Sequence, residues 1–230
     1  MRINMLENSI AEHQPLPDKI ADFVREAIIV GKLKPGEKIS EAKLADELHI
    51  SRTPIREAIR MLESEGFVSI IPRRGTIVSE LSLEDVYEYF QVKACLEGFA
   101  AEGVAATVGE RELNKLRRLN EEEMKAINNG DFVQYLKIHE EFHQAFLQRA
   151  KNRKLLDLIQ HMGYHIRRLE RIFNEHPEIF VVCSKTHKDL IAAFEARDGQ
   201  KAREIVERNI LHIAENLKRY GADYLENDKT

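Results

Sequence analysis

The stretch SRTPIREAIRMLESEG, residues 51–66, decides the fold of the N-terminal region. Ser51 is suited to be a helix N-cap, and Pro54 lies in the first turn, where a missing backbone N–H costs no hydrogen bond. Apolar residues then recur at the helical period, and Gly66 ends the segment. These apolar residues are Ile55, Ala58, Ile59 and Leu62. The stretch therefore predicts an amphipathic helix with one buried face and one exposed face.

Segments on both sides of this helix predict a winged helix-turn-helix. PDKIADFVREAIIVGKL, 17–33, has the apolar period of a helix, and SEAKLADELHI, 40–50, begins with the N-cap candidate Ser40. After the third helix, FVSII and TIVSEL alternate around Pro72–Thr76, which predicts a β hairpin. Three helices followed by a hairpin is the order of a winged helix-turn-helix, whose third helix enters the major groove of DNA.

The exposed face of the third helix and the tip of the hairpin are basic. Arg52, Arg56 and Arg60 recur every four residues and so share the face opposite the apolar one. The arginine fork suits both guanine and phosphate, and a helix N-terminus can hold a phosphate through its N–H groups. The candidate DNA-contact residues are Ser51, Arg52, Thr53, Arg56, Arg60, Arg73, Arg74 and Gly75. The alternative is that these arginines form an ordinary solvated face.

From Leu81 onward the sequence has almost entirely helical pattern. Ser82 can cap a helix together with Asp85, three residues later. Six helices are predicted, at 83–107, 109–128, 131–149, 152–175, 177–197 and 199–222. Long helices joined by short loops predict an antiparallel bundle, so the fold class is mainly α. The predicted divisions are an N-terminal tail at 1–14, the winged helix-turn-helix at 15–80, the helical domain at 81–225 and a C-terminal tail at 226–230.

Composition limits the cellular setting and the partners. The 230 residues carry a formal net charge of −4, so any basic nucleic-acid surface has to be local. The two cysteines, Cys95 and Cys183, form no C-x-x-C pair and no disulfide framework. No apolar run approaches the ~20 residues of a membrane span, and the N-terminus lacks a signal-peptide core. A cytoplasmic chain with no membrane association is expected.

The segment HEEFH, 139–143, fits the H-E-x-x-H pattern of zinc protease helices. His139 and His143 are one turn apart on one helix face, and Glu140 would have to act as base on a metal-bound water. No H-x-x-G-x-x-H extension or Met-turn follows, and a DNA-binding region precedes the motif. The metallopeptidase is therefore the least favoured interpretation, and the chain is predicted not to be an enzyme.

Longer segments carry a resemblance to a known family. LADELHISRTPIREAIRMLESEGFVSIIPRRGTIVSELS, 44–82, resembles the DNA-binding domain of the GntR family of bacterial transcription regulators. The helical domain resembles the all-helical FCD effector domain of the FadR subfamily. The segments that carry this second resemblance are VYEYFQVKACLEGFAA at 86–101, HEEFHQAFLQRAKNRKLL at 139–156 and THKDLIAAFEARDGQKA at 186–202.

The resemblance implies specific contacts and an assembly. Arg52, Thr53 and Arg56 would face bases or phosphates, and Arg74 with Gly75 would lie in the wing. The chain would bind a palindromic double-stranded operator as a homodimer.

The resemblance also implies a metal site. In FCD domains this segment reads Asp-x-x-Phe-His, with the Asp and the His as ligands. His139 stands at the Asp position, and His143 matches the family histidine. His187 would be a further ligand, and Asn209 occupies the last ligand position. His212 lies three residues beyond, so Asn209, His212 or water would complete the site.

The charge of this ligand set has consequences. Neutral imidazole and amide ligands favour zinc, nickel or copper over manganese or magnesium, and zinc or nickel is expected. They also leave the charge of the metal less compensated, so an anionic effector is expected to bind more strongly. Lys93 stands where the family usually has an arginine facing the effector cavity, and it could pair with an effector carboxylate. A second histidine pair, His161 and His165, lines the same cavity or faces solvent.

These features together predict a transcription regulator, mainly a repressor. A small carboxylate metabolite would bind in the metal-containing pocket and weaken operator binding. The alternative is a metal-ion sensor, in which the ion itself is the signal.

Overall fold

The computed structural model describes residues 14–169 and 178–220, and the side chains of residues 14–169 and 184–218. The chain divides into two compact units, with the division between Leu81 and Ser82. The first unit has the order of elements of a winged helix-turn-helix, and the second is all-helical in its described part. The predicted fold class is therefore confirmed.

The first unit combines three helices with a small sheet. Its elements are α1 Leu16–Ile29, β1 Lys38–Ile39, α2 Glu41–Leu48, α3 Arg52–Ser64, β2 Val68–Ile71 and β3 Gly75–Val78. The sheet is antiparallel with the order β1-β3-β2, and β2 with β3 forms the predicted hairpin. The sequence did not predict β1, because two residues are too few to show the period of a strand.

The apolar face predicted for α3 forms the centre of the first core. Ile55, Ala58, Ile59 and Leu62 are each at most 1% exposed. A charged residue of α1, Arg25, is buried in the same unit, which its sequence neighbours did not indicate. Its Nη2 donates to Oε2 of Glu65 at 2.7 Å, at the end of α3. A guanidinium is tolerated here because its charge is paired and hydrogen-bonded.

The turn between α2 and α3 contains a backbone conformation that favours glycine. His49 follows α2 with φ 54° and ψ 40°, the left-handed region. This conformation costs a residue with a Cβ about 1 kcal/mol. We expect His49→Gly to raise the free energy of unfolding by about 0.5–1 kcal/mol, measured by urea denaturation. His49→Ala removes the same ring but keeps the Cβ and should give no gain. An equal gain in the alanine variant would assign the effect to the imidazole.

The second unit consists of long helices. They are α4 Leu83–Ala105, α5 Glu110–Asn128, α6 Phe132–Leu147, α7 Arg153–Arg167, α8 Glu178–Glu195 and α9 Gly199–Tyr220. The described ends agree with the six predicted segments within a few residues, except at the end of α7. This helix ends at Arg167, with Arg168 as its C-cap, so the prediction of one continuous helix from 152 to 175 is wrong. No glycine or proline marks this end in the sequence, which is why the helical pattern alone did not predict it. The predicted start at 177 and the predicted end at 222 lie outside the described residues, as do residues 1–13 and 221–230.

The beginning of α4 shows why it starts where predicted. Ser82 Oγ accepts a hydrogen bond from the Asp85 backbone N–H at 3.0 Å, and Asp85 Oδ2 accepts one from the Ser82 backbone N–H at 2.9 Å. This reciprocal capping box satisfies two donors that a helix N-terminus would otherwise leave unpaired. The hydrogen bond from Ser82 lowers the pKa of the Asp85 carboxyl.

Helix α4 is the element around which the second unit is organised. It contacts α6, α7, α8 and α9, while α5 contacts α6 and α8. Aromatic residues such as Phe90, Tyr135, Phe142 and Phe194 fill the space between these helices. In the described part of the chain, no helix is both long and apolar enough to span a bilayer.

Candidate nucleic-acid interface and metal centre

The candidate DNA-contact residues lie on the exposed side of α3 and at the hairpin tip. All eight are exposed, namely Ser51, Arg52, Thr53, Arg56, Arg60, Arg73, Arg74 and Gly75. The opposite face of α3 is fixed in the core, so the orientation of this basic face is set by packing. Ser51 holds the predicted N-cap position, but its side chain makes no capping bond. Contact of these residues with DNA stays a prediction.

One of these arginines is held in place by the preceding helix. Arg56 Nε donates to Oε2 of Glu41 at 3.1 Å, and 62% of the Arg56 side chain is exposed. The bond uses Nε, so the Nη groups are not needed for it and can still donate to a base or a phosphate. Glu41, the first residue of α2, was not among the sequence candidates.

The wing has a turn geometry that brings in a further basic residue. Arg73 has φ 66° and Gly75 has φ 93°. A Cβ at Gly75 would lie 3.3 Å from Cε of Lys38, which belongs to β1. The Lys38 side chain therefore lies next to Gly75, the residue that follows the two wing arginines in the sequence. Sequence reasoning missed Lys38 because it missed β1.

Three histidines come together in the second unit. His139, His143 and His187 each offer a ligand atom, and these atoms all lie within 4.8 Å of one another. His139 and His143 project from one face of α6, and α8 supplies His187 from across the bundle. The His187 ring stacks on Phe142 with a centroid distance of 3.9 Å and an interplanar angle of 5°. Packing of aromatic rings therefore fixes the orientation of this imidazole.

Two buried carboxylates lie behind the histidines, and sequence reasoning identified neither. Glu123 of α5 accepts from Nδ1 of His139 at 3.1 Å and from Nδ1 of His187 at 2.8 Å. Glu97 of α4 accepts from Nδ1 of His143 at 2.7 Å. Carboxylates in this position orient imidazoles that bind metals.

The electrostatics of the cluster favour ionised carboxylates and neutral imidazoles. Burial raises the pKa of Glu97, but Lys93 and His143 outweigh it and lower that pKa to about 2. Burial likewise opposes ionisation of Glu123, but hydrogen bonds from His139 and His187 lower its pKa to about 2. Burial lowers the pKa of all three histidines, only partly opposed by the carboxylates. Neutral imidazole is the form that binds a cation.

One buried nitrogen without a hydrogen-bond partner among the described residues supports the binding of a divalent cation at these histidines. Nε2 of His187 is buried and has no hydrogen-bond partner among the residues that the structure describes. A buried polar atom without a partner is costly, and an imidazole nitrogen opposite a carboxylate-bound Nδ1 is a common metal ligand. The three histidines therefore fit a transition metal such as zinc.

The two carboxylates weaken the argument that an anionic effector binds strongly to this site. That argument considered only the neutral ligands, whereas Glu97 and Glu123 place negative charge directly behind the histidines. Lys93 forms an ion pair with Glu97 and keeps 18% of its side chain exposed. An effector carboxylate that approached Lys93 would therefore share it with Glu97.

The other candidates lie in different surroundings. Asn209 is 7% exposed and donates its Nδ2 hydrogen to the Thr186 hydroxyl, next to His187. Its role as a fourth ligand stays a prediction. His212 is not a member of the three-histidine group among the described residues, and its Nε2 accepts from Asn216 at 2.9 Å.

The second histidine pair and the protease glutamate also lie outside the group. His165 is 4% exposed and stacks on Tyr89 of α4 at a centroid distance of 4.5 Å. His161 is exposed, and its Nδ1 bonds the Asp157 carbonyl oxygen at 2.7 Å. Glu140 is exposed, whereas the carboxylates in contact with the histidines come from α4 and α5.

Comparison with known proteins assigns each of the two units to a protein family. Residues 16–78 match the family described as bacterial regulatory proteins, gntR family, and residues 88–212 match the FCD domain. The chain belongs to the GntR family. It is a bacterial DNA-binding transcription regulator with an FCD domain, and domains of this type can bind metal ions.

Individual relatives cover nearly the whole chain. The uncharacterized HTH-type transcriptional regulator YdhC of Bacillus subtilis (strain 168) is 30% identical over 198 residues, which are 85% of this chain and 88% of its own. The HTH-type transcriptional repressor RspR of Escherichia coli (strain K12) is 23% identical over 213 residues, 93% of each chain. The solved structure of E. coli McbR/YncC has a TM-score of 0.67 at 22% identity, covering 92% of this chain and 99% of its own. This structural likeness supports the fold.

Proposed function

We propose that this GntR-family regulator is a repressor whose operator affinity is controlled by a small carboxylate metabolite bound at a metal centre. The observation that carries the proposal is the cluster of three imidazoles, with a carboxylate on each Nδ1 and a buried Nε2 of His187 that has no partner among the described residues. A carboxylate-anchored histidine site of this kind suits zinc or nickel better than magnesium.

The proposed site contains metal ligands and a residue that binds the effector. His139, His143 and His187 would hold the ion, with the Asn209 amide oxygen or water as a further ligand. A bound divalent cation would supply a Lewis-acidic position for one oxygen of the effector carboxylate. Lys93, already oriented by Glu97, would donate to the other oxygen or to a second anionic group of the effector.

The candidate site connects four helices of the second unit. The site residues come from α4, α5, α6 and α8, which pack on one another. A ligand bound among them can change the packing of these helices if it binds one arrangement more tightly than another. Repression rather than activation is supported by the relative RspR, which is a transcriptional repressor.

The test measures operator binding during effector titration. DNA fragments that the protein selects from a random library supply the operator, and fluorescence anisotropy gives its affinity. We expect at least one small mono- or dicarboxylate to weaken operator binding by about 5- to 150-fold in the zinc-loaded protein. Lys93→Met should abolish this response, whereas Lys125→Met, an exposed change on α5, should leave it intact. A carboxylate panel without any effect on affinity would contradict the proposal.

The metal-ion sensor is the second candidate, and the same histidine cluster favours it. If the ion is the signal, a chelator alone changes operator affinity and no metabolite is needed. If a metabolite is the signal, the chelator mainly removes the response to that metabolite. One titration with and without chelator therefore separates the two functions.

A homodimer on a palindromic operator is part of the proposal. The single basic face of α3 reads one half-site, and two copies related by a two-fold axis read two half-sites one helical turn or a multiple of it apart. Light scattering of the protein on the selected operator should give two chains per DNA fragment. A mass of one chain per palindrome would contradict this assembly.

A further inference from the structure

Glu123 occupies an unusual position among the buried acids of the second unit. Its side chain is fully buried, and it faces two histidines that belong to different helices, α6 and α8. Asn120 Nδ2 adds a longer contact to Oε2 at 3.4 Å and also donates to the Ser184 carbonyl oxygen at 3.0 Å. One carboxylate of α5 thus connects two imidazoles of the metal centre.

These contacts fix the proton positions on both rings. Oε1 of Glu123 lies 3.1 Å from Nδ1 of His139, and Oε2 lies 2.8 Å from Nδ1 of His187. A carboxylate accepts hydrogen bonds through both oxygens, and a neutral imidazole has a single N–H. Nδ1 of His139 and Nδ1 of His187 must therefore both carry the hydrogen. In this tautomer the ring lone pair lies on Nε2, the nitrogen through which such an imidazole binds a cation.

The charge of Glu123 is compensated differently from that of Glu97. Glu97 pairs with the Lys93 ammonium, so that ion pair is neutral. No lysine or arginine among the described residues forms an ion pair with Glu123, which contacts the two histidines instead. A buried carboxylate that faces neutral rings is stabilised when a cation binds on their far side.

We propose that Glu123 is a positioning residue of the metal centre, holding His139 and His187 in the metal-binding tautomer and supplying the negative charge that the neutral ligand set lacks. This inference rests on the metal site of the proposed function. It explains how a histidine can stand at the family's aspartate position, since the acidic group is contributed from α5 instead of from the ligand itself.

The decisive variant is Glu123→Gln, which keeps the size of the side chain. The amide has one oxygen and one NH₂ group, so it can accept an Nδ1 hydrogen from one ring only. Its NH₂ group requires an acceptor on the other ring, and that ring must move its hydrogen to Nε2 and lose the metal-binding lone pair. Glu121→Gln is the matched control, because it makes the same chemical change at an exposed position of α5.

Two measurements test the inference. Long-range ¹H–¹⁵N correlation spectra of the metal-free protein should show both His139 and His187 with the hydrogen on Nδ1, and Glu123→Gln should move one of them to Nε2. Competition with a chromophoric chelator should show that Glu123→Gln binds Zn²⁺ about 10- to 100-fold more weakly than the wild type. Glu121→Gln should match the wild type in both.

The outcomes separate this inference from the proposed function. An Nε2 hydrogen on either ring of the metal-free wild type would overturn the role of Glu123, even if the glutamine variant does not fold. Equal Zn²⁺ affinities of the two glutamine variants would overturn it as well. Conversely, the expected tautomers and the expected loss of affinity, combined with no carboxylate effect on operator binding, would contradict the proposed function alone.

Discussion

His143→Gln is expected to lower the affinity for zinc by more than about 100-fold. Loss of a direct ligand should exceed the roughly 10- to 100-fold effect of losing a residue that only orients a ligand. His143 is the cleanest of the three histidines to replace, because Glu97 keeps Lys93 as a partner when the imidazole is gone. Competition with a chromophoric chelator, together with the metal content of the purified protein, gives the measurement.

A matched histidine makes this result specific. His212→Gln removes an imidazole that contacts Asn216 and does not belong to the three-histidine group. Its zinc affinity should stay within about threefold of the wild type, well inside the effect of an orienting contact. If His212→Gln lowers the affinity as much as His143→Gln does, the assignment of ligands is wrong. The carboxylate response of operator binding should disappear in His143→Gln and persist in His212→Gln.

Arg56→Ala is expected to weaken operator binding by about 10- to 100-fold. A forked arginine contact to a base contributes about 1–3 kcal/mol, and a phosphate contact adds to the salt dependence. Arg56 lies on the exposed face of α3, and its hydrogen bond to Glu41 restricts part of the side-chain freedom that would otherwise be lost on binding. Anisotropy titrations with the selected operator at several salt concentrations give the affinity and the salt slope.

Two further variants establish the cause of this loss. Arg118→Ala removes an equally exposed charge from the second unit and should change operator affinity by less than about twofold. Glu41→Ala leaves Arg56 in place but frees its Nε edge, and it should cause a smaller loss than Arg56→Ala. Operator binding by Arg56→Ala at wild-type strength, with the fold intact, would show that α3 does not contact DNA through this residue.

The parts of the structure with local sequence signals were predictable. The spacing of Ile55, Ala58, Ile59 and Leu62 predicted the buried face of α3, and the Ser82 to Asp85 interval predicted the start of α4. These features arise within one or two helical turns, where the chain itself fixes the neighbours.

The carboxylates of the metal centre had a weaker signal or none. Glu123 ends a run of three glutamates, 121–123, which is typical of a solvated face. Glu97 is the single charged residue of the apolar stretch ACLEGFAA, 94–101, which could have indicated a buried acid but not the residues it contacts. Their burial depends on histidines 46 and 16 positions away, and on His187, 64 positions from Glu123. Spacing along one helix identified His139 with His143, and the family resemblance was needed to add His187.

The same reason explains the missed features of the first unit. Arg25 is buried because Glu65, 40 residues later, neutralises it, and β1 is a strand because β3 pairs with it. Both depend on contacts across the chain, which composition and period do not report.

The ion pair of Arg25 and Glu65 has a consequence for experiments in solution. Their side chains are 7% and 15% exposed, so dissolved ions screen this attraction far less than they screen a surface pair. Added salt competes with the basic face of α3 for DNA phosphates, while the connection between α1 and the end of α3 keeps most of its strength. A fall in operator affinity with rising salt can therefore be interpreted as uptake of counterions by the DNA, without a loosening of the domain that binds it.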